Sequence, residues 1–185
     1  VRSVSPDETE GPEELIVATA TGMRALGARL AGMLRAGDLV LLTGPLGAGK
    51  TTLVQGLGEA LGVRGMITSP TFVIARVHPS LTGGPGLVHV DAYRLGGLAE
   101  MDDLDLDLDG SVTVVEWGEG VAEGLSTDRL ELTIGFAPAP PGQEHEGAEP
   151  RTVRISRVGA RWVTAPAAPA SPAKPAQQAW RSRDA

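Results

Sequence analysis

Residues 44–51 read GPLGAGKT, a complete match to GxxxxGK[ST], in which glycine-rich backbone cradles phosphates and one lysine neutralises them. Lysine is scarce in this chain. Of its 16 basic residues, 14 are arginines, and the two lysines are Lys50 in the motif and Lys174 near the C-terminus. A compact ammonium fits between phosphate oxygens, where a planar guanidinium would present a bidentate edge. The alternative reading is a glycine-rich turn joining strand to helix.

The flanks decide for the phosphate loop. Residues 38–43 read DLVLLT, the short apolar run required of a strand buried on both faces. Residues 51–61 read TTLVQGLGEAL, with Leu53, Leu57 and Leu61 four apart, which lays one apolar stripe along a helix. Strand, glycine loop and helix together present the helix N-terminus to the phosphates. The candidate phosphate-binding residues are therefore Gly47, Ala48, Gly49, Lys50, Thr51 and Thr52. Backbone N–H groups would hold the β-phosphate, Lys50 would bridge β and γ, and Thr51 would ligate Mg²⁺ through its hydroxyl.

With 185 residues and 42% hydrophobic content, the chain can bury one sizeable core. Composition divides it into an acidic leader over 1–14, a domain over 15–163 and a Pro/Ala-rich tail over 164–185, with both ends expected to be mobile. With no 18-residue apolar run and no basic-then-apolar stretch at the start of the given sequence, neither a membrane span nor secretion is expected. Cysteine is absent, which excludes disulfides and thiolate metal sites; a cytosolic home follows mainly from the nucleotide motif. The net charge of −7 argues against broad electrostatic contact with DNA or RNA, which takes clustered Lys/Arg. Arg151, Arg154, Arg157 and Arg161 are closely spaced and form either a basic patch or a solvated strand face.

The remaining pattern predicts a strand over 14–18 and a helix over 20–35, with Met23, Leu26, Leu30 and Leu34 on one face. Thr19 or Thr21 caps that helix and Gly37 closes it. A turn at Ser69-Pro70 precedes an extended segment over 72–77. Strands follow over 87–91 and 112–116, with a short helix or turn over 98–104 between them and a loop or short helix over 117–124 beyond. Residues 130–134 and 152–155 form an antiparallel pair around a polar, proline-rich loop. Helices alternating with strands early, and strands dominating late, predict a three-layer α/β P-loop NTPase domain with a mixed, partly parallel sheet.

Hydrolysis also needs a carboxylate near Mg²⁺ and a group to orient water. Asp91 ends LVHVD and Glu116 ends VTVVE; in a parallel sheet both emerge at the C-terminal strand edge beside the phosphate loop. Either acid could instead cap the next turn. Glu116 also completes DxDxDGxxxxxE with Asp105, Asp107, Asp109 and Gly110, the calcium-loop pattern. Its context fails, because β-branched Val112–Val115 occupies a position where the second helix would have to begin. The six acids from Glu100 to Asp109 make a solvated loop or a surface for a basic partner. Thr71, in the SPT turn, stands where a hydroxyl could sense a γ-phosphate. Trp117 could stack on a base, anchor a partner or fill the core. His78, His89 and His145 assemble no metal set.

Read in order, GPLGAGKTTLVQGL, SPTFVIARVH, HVDAYRL and VVEWGEG resemble the bacterial TsaE family, the ATPase component of tRNA threonylcarbamoyladenosine synthesis. The resemblance runs from Leu15 to Ile155. It implies an ATP- and Mg²⁺-dependent ATPase that joins the TsaD transferase and its TsaB subunit, with tRNA held mainly by those partners. By motif match, Lys50 and Thr51 bind phosphates and Mg²⁺, Asp91 is the Walker-B-like acid, Glu116 and Trp117 complete the site, and Thr71 lies in a switch-like segment. Two rival readings stand beside it: a P-loop small-molecule kinase, and a nucleotide-dependent binding switch with negligible turnover.

Overall fold

The computed structural model describes residues 11–95, 100, 104, 106–118, 120, 124–138 and 149–163. Along the chain these form β1 (Glu13–Val17), α1 (Ala20–Ala31), β2 (Leu39–Thr43), α2 (Lys50–Leu61), β3 (Ala75–His78), β4 (Gly86–Asp91), a 3-10 turn (Ala92–Arg94), β5 (Ser111–Glu116), β6 (Arg129–Phe136), β7 (Arg151–Val158) and α3 (Ala160–Val163). The strands make one seven-stranded sheet in the order β1-β7-β6-β2-β5-β4-β3. Strand β2 runs parallel to β5 and β6, and β4 runs parallel to β5. The pairs β1–β7, β6–β7 and β3–β4 are antiparallel. The mixed α/β sheet expected from the pattern is present.

Burial on both faces explains why β2 and β5 are continuous apolar runs rather than alternating ones. On one face, Val40, Leu42, Val112, Val114, Leu130 and Leu132 pack with Met23, Leu26 and Leu30 of α1 and Leu53 and Leu57 of α2. On the other, Leu39, Leu41, Val88, Val90 and Val115 are covered by Ala92, Leu95, Leu106, Leu108 and Leu125. Among the described residues this second layer is made of connecting segments.

Helices α1 and α2 touch backbone to backbone. A Cβ on Gly27 would stand 2.1 Å from the Leu53 carbonyl oxygen, and one on Gly56 would stand 2.0 Å from that of Arg24. Two glycines, one per helix, therefore set the closeness of this crossing. Because α2 carries the phosphate loop at its start, that packing fixes the loop against the sheet.

Three expectations from the sequence need correcting. First, α1 ends at Ala31 with Gly32 as its C-cap, although Leu34 stays buried. Gly37 belongs to the turn into β2, with φ +85° and its N–H donating to the Ser111 carbonyl at 2.9 Å. Second, the extended run over 72–77 begins only at Ala75. Val73 and Ile74 both donate to the Pro70 carbonyl, at 2.9 and 2.8 Å, and Ile74 takes φ +68°; a turn occupies the first half of that segment. Third, β1 takes in Glu13 and Glu14, which composition grouped with the acidic leader.

Residues 1–10, 139–148 and 164–185, and most of the predicted helix or turn over 98–104, lie outside the described residues. Among those described, no helix is long and apolar enough to cross a membrane.

Candidate functional site

Strand β2 delivers the chain to the loop at the middle of the sheet. Gly44 takes φ +145° and passes so near β6 that a Cβ would meet the Ile134 carbonyl oxygen at 2.1 Å, so only glycine fits there. Helix α2 then starts at Lys50 with Gly49 as an N-cap that offers no side-chain hydrogen bond. Its first N–H groups and positive dipole end are left for an anion.

Both acids stand at the C-terminal edge of the parallel strands. Asp91 and Glu116 are direct register partners across β4 and β5, and Leu42 of β2 pairs with Glu116 on the other side. Each acid is 3% exposed. The Thr51 hydroxyl donates to Glu116 Oε1 at 3.1 Å, and the Thr71 hydroxyl donates to Asp91 Oδ2 at 2.5 Å. Asp91 Oδ1 accepts from the Tyr93 N–H at 3.0 Å, so Asp91 also caps the 3-10 turn.

Lys50 is also buried. Its Nζ donates to the carbonyls of Gly44 and Pro45 at 2.8 and 3.2 Å and stands 3.9 Å from the centroid of the Trp117 ring. Burial pushes the Lys50 pKa below the usual lysine value, while the negative charges of Glu116 and Asp91 pull it the other way. A phosphate would supply the anionic partner that a desolvated ammonium requires.

Two hollows flank the loop and share Gly47, Gly49 and Thr52. One, of about 260 Å³, is lined by Leu46, Lys50, Thr51, Ser69, Thr71, Glu116 and Trp117. The other, of about 150 Å³, lies beside the start of α1 and is lined by Val17, Thr19, Met23, Ala48, Glu149 and Arg151 among others. A ligand laid across the loop would reach both.

The structure thus brings Lys50, Thr51, Thr71, Glu116 and Trp117 around one opening, with Asp91 behind it, held to Thr71. Trp117 belongs to neither apolar cluster. It holds φ +61° at the end of β5 and meets Tyr93 edge to face, with ring centroids 5.9 Å apart. The calcium-loop reading fails on geometry, because its Glu116 ends a buried strand and bonds Thr51 instead of closing back on the acidic loop; Asp105 lies outside the described residues. Among the described residues, no three His, Cys, Asp or Glu side chains form a metal set. The Thr51 hydroxyl and the Glu116 carboxylate at the opening, with Asp91 one hydrogen bond behind Thr71, fit Mg²⁺, which takes few protein ligands and completes its shell with water and phosphate oxygens.

The four closely spaced arginines form no common patch. Arg157 pairs with Glu13 at 3.0 Å and Arg161 with Asp38 at 3.0 Å, while Arg154 is exposed on the opposite face of β7 from Arg151 and Arg157. Arg151 was missed by sequence reasoning as a site neighbour. Its Nε and Nη2 donate to the carbonyls of Ala48 and Gly47 at 3.2 and 3.3 Å, and its guanidinium lies 4.3 Å from the Phe136 ring centroid, bracing the phosphate loop from β7. His89 was missed too. Its Nε2 is 2.8 Å from Glu116 Oε1, and the signal was its place at the head of the HVDAYRL block, two residues before Asp91 on a buried strand.

Comparisons with known proteins bear on the family and the fold. Residues 17–139 match the sequence model of the family described as threonylcarbamoyl adenosine biosynthesis protein TsaE. The tRNA threonylcarbamoyladenosine biosynthesis protein TsaE of Streptomyces coelicolor is 64% identical over 77% of this chain and 95% of its own length. The protein of the same name from Bacillus subtilis is 34% identical over 87% of each chain. The crystal structure of Bacillus subtilis YdiB superposes with a TM-score of 0.63 at 28% identity, covering 82% of this chain and 88% of that one. The chain belongs to the TsaE family, the bacterial P-loop ATPases of tRNA threonylcarbamoyladenosine biosynthesis.

Proposed function

We propose that this chain is a Mg²⁺-dependent ATPase subunit, active in the cytoplasm, that works with TsaD and TsaB in forming threonylcarbamoyladenosine on tRNA, with residues 13–163 as its catalytic domain. One observation carries the reading: the Thr51–Glu116 hydrogen bond joins the phosphate loop to the acid edge of the sheet. A binding loop with no acid behind it would hold nucleotide without turning it over.

The polyphosphate lies over Gly47 to Thr52 in this reading, with the base toward the hollow beside α1 and the γ end toward Lys50. Lys50 leaves the carbonyls of Gly44 and Pro45 to neutralise the β and γ oxygens. Thr51, Asp91 and Glu116 would hold Mg²⁺, which when bound offsets charge developing on the phosphates. Glu116 orients the attacking water, and Thr71 reports the γ-phosphate to the turn over 70–74.

Around the opening, Leu46 and Phe72 are each 90% exposed and Tyr93 is 72% exposed. Large apolar side chains ringing a site mark a surface that a protein partner covers, which supports turnover that is weak in the isolated chain and stimulated in the complex. Transfer of the threonylcarbamoyl group is left to TsaD, and the acidic charge of this chain suits tRNA held by the partners.

The test measures ATP hydrolysis with and without TsaD and TsaB, together with tRNA modification, for wild type and Lys50→Ala. Partner-stimulated hydrolysis and modification that both fail in the variant support the proposal. Hydrolysis that stays flat on adding partners, with modification unaffected by the substitution, sinks it.

A further inference from the structure

His89 sits on β4 in a row that alternates onto the α2 side of the sheet as Leu87, His89 and Asp91. Its neighbours on that face of β5 are Val112 and Val114, and all of Leu87, His89, Val112 and Val114 are 0% exposed. An aliphatic side chain would satisfy such a place, and a polar ring there is costly unless its hydrogen bond has a use. Among the described residues, the ring has one hydrogen-bond partner. Nε2 is 2.8 Å from Glu116 Oε1, while Nδ1 is buried with none.

That asymmetry assigns the donor. A carboxylate oxygen only accepts, so Nε2 carries the hydrogen and donates it. Nδ1 has no partner among the described residues, so the bond to Glu116 is what orients the ring. Oε1 also accepts the Thr51 hydroxyl at 3.1 Å. Two donors from two elements, β4 and α2, thus converge on one oxygen and fix the carboxylate's rotation, leaving Oε2 for water or Mg²⁺.

We propose that His89 is a positioning residue for nucleotide hydrolysis, holding Glu116 through its Nε2–H donor; this rests on the reading of Glu116 as the acid of the site. His89 itself touches neither nucleotide nor water. Its removal therefore frees the Glu116 side chain to leave its productive rotamer and lowers turnover, while nucleotide affinity, set by the loop, stays in place.

The experiment compares wild type, His89→Leu, His89→Gln and Glu116→Ala in the presence of TsaD and TsaB, reading kcat for ATP and the Kd for ADP. His89→Leu is expected to lose about tenfold or more in kcat with Kd changed less than about twofold, and His89→Gln, whose amide N–H can replace the donor, to recover most of the rate. Wild-type kcat in His89→Leu while Glu116→Ala is dead overturns the role of His89 alone. Full activity in Glu116→Ala overturns the reading of the site and the role of His89 with it. A glutamine variant as slow as the leucine variant, at unchanged Tm, also overturns the donor role. Should the leucine variant fail to fold, the ¹⁵N spectrum of the wild-type histidine decides: a proton on Nε2 supports the proposal and an unprotonated Nε2 overturns it.

Discussion

The two halves of the sheet treat charge in opposite ways. In the parallel half, β2, β5 and β4 bury Asp91 and Glu116 at 3% exposure and His89 completely; His89 and Glu116 are hydrogen-bonded toward Thr51 of the phosphate loop, and Asp91 toward Thr71 of the neighbouring turn. In the antiparallel wing, β1, β7 and β6 pair Glu13 with Arg157 and Arg129 with Glu131 near the solvent. Partly solvated pairs of this kind contribute little, whereas buried polar groups are costly unless satisfied. Most of that cost is taken at the strand ends that face the opening, beside the buried Lys50, while Asp38 at the other end of β2 is buried against Arg161.

Substitutions can break or sharpen this contrast. The largest effect is expected from Lys50→Ala, which removes the one buried cation from the loop. Partner-stimulated ATP turnover is expected to fall by at least about 100-fold, a loss of the size seen when a charge-stabilising group is deleted; a loss under tenfold would argue that the loop binds without catalysing. Next comes Gly27→Ala, which leaves every site residue intact but drives a Cβ toward the Leu53 backbone. A cost of about 1–3 kcal/mol in denaturant unfolding is expected as the helices part, and an unchanged midpoint would contradict the backbone-to-backbone crossing. The smallest effect is expected from Arg157→Ala in the wing, under about 1 kcal/mol in stability with turnover unaffected.

Much of the parallel half was legible in the sequence because its determinants are local. The loop octapeptide, the apolar runs before Asp91 and Glu116, and the leucine spacing of α2 each lie within a dozen residues, and periodicity reads such windows well. Arg151 was not legible in this way. It reaches the loop from a strand a hundred residues later, and only the antiparallel register of β7 on β6 brings it there. His89 was hidden for the same reason, since its partner is fixed by the pairing of β4 with β5. The end of α1 was misread because Gly32 and Gly37 are equally plausible stops by composition, and backbone hydrogen bonding chose the first. The calcium pattern shows the reverse failure, a complete local match whose last acid is committed to a strand end beside Thr51.

The most direct test of the central claim is the Glu116→Ala variant assayed in the assembled complex, with ADP affinity and ATP turnover measured on the same preparation. An acid that acts on water or Mg²⁺ contributes mainly in the transition state. The expected result is ADP affinity within about threefold of wild type and turnover reduced by about 100-fold or more. Turnover at the wild-type rate, or loss of nucleotide binding with turnover per bound nucleotide preserved, would contradict the assignment of Glu116 to the chemistry of this site.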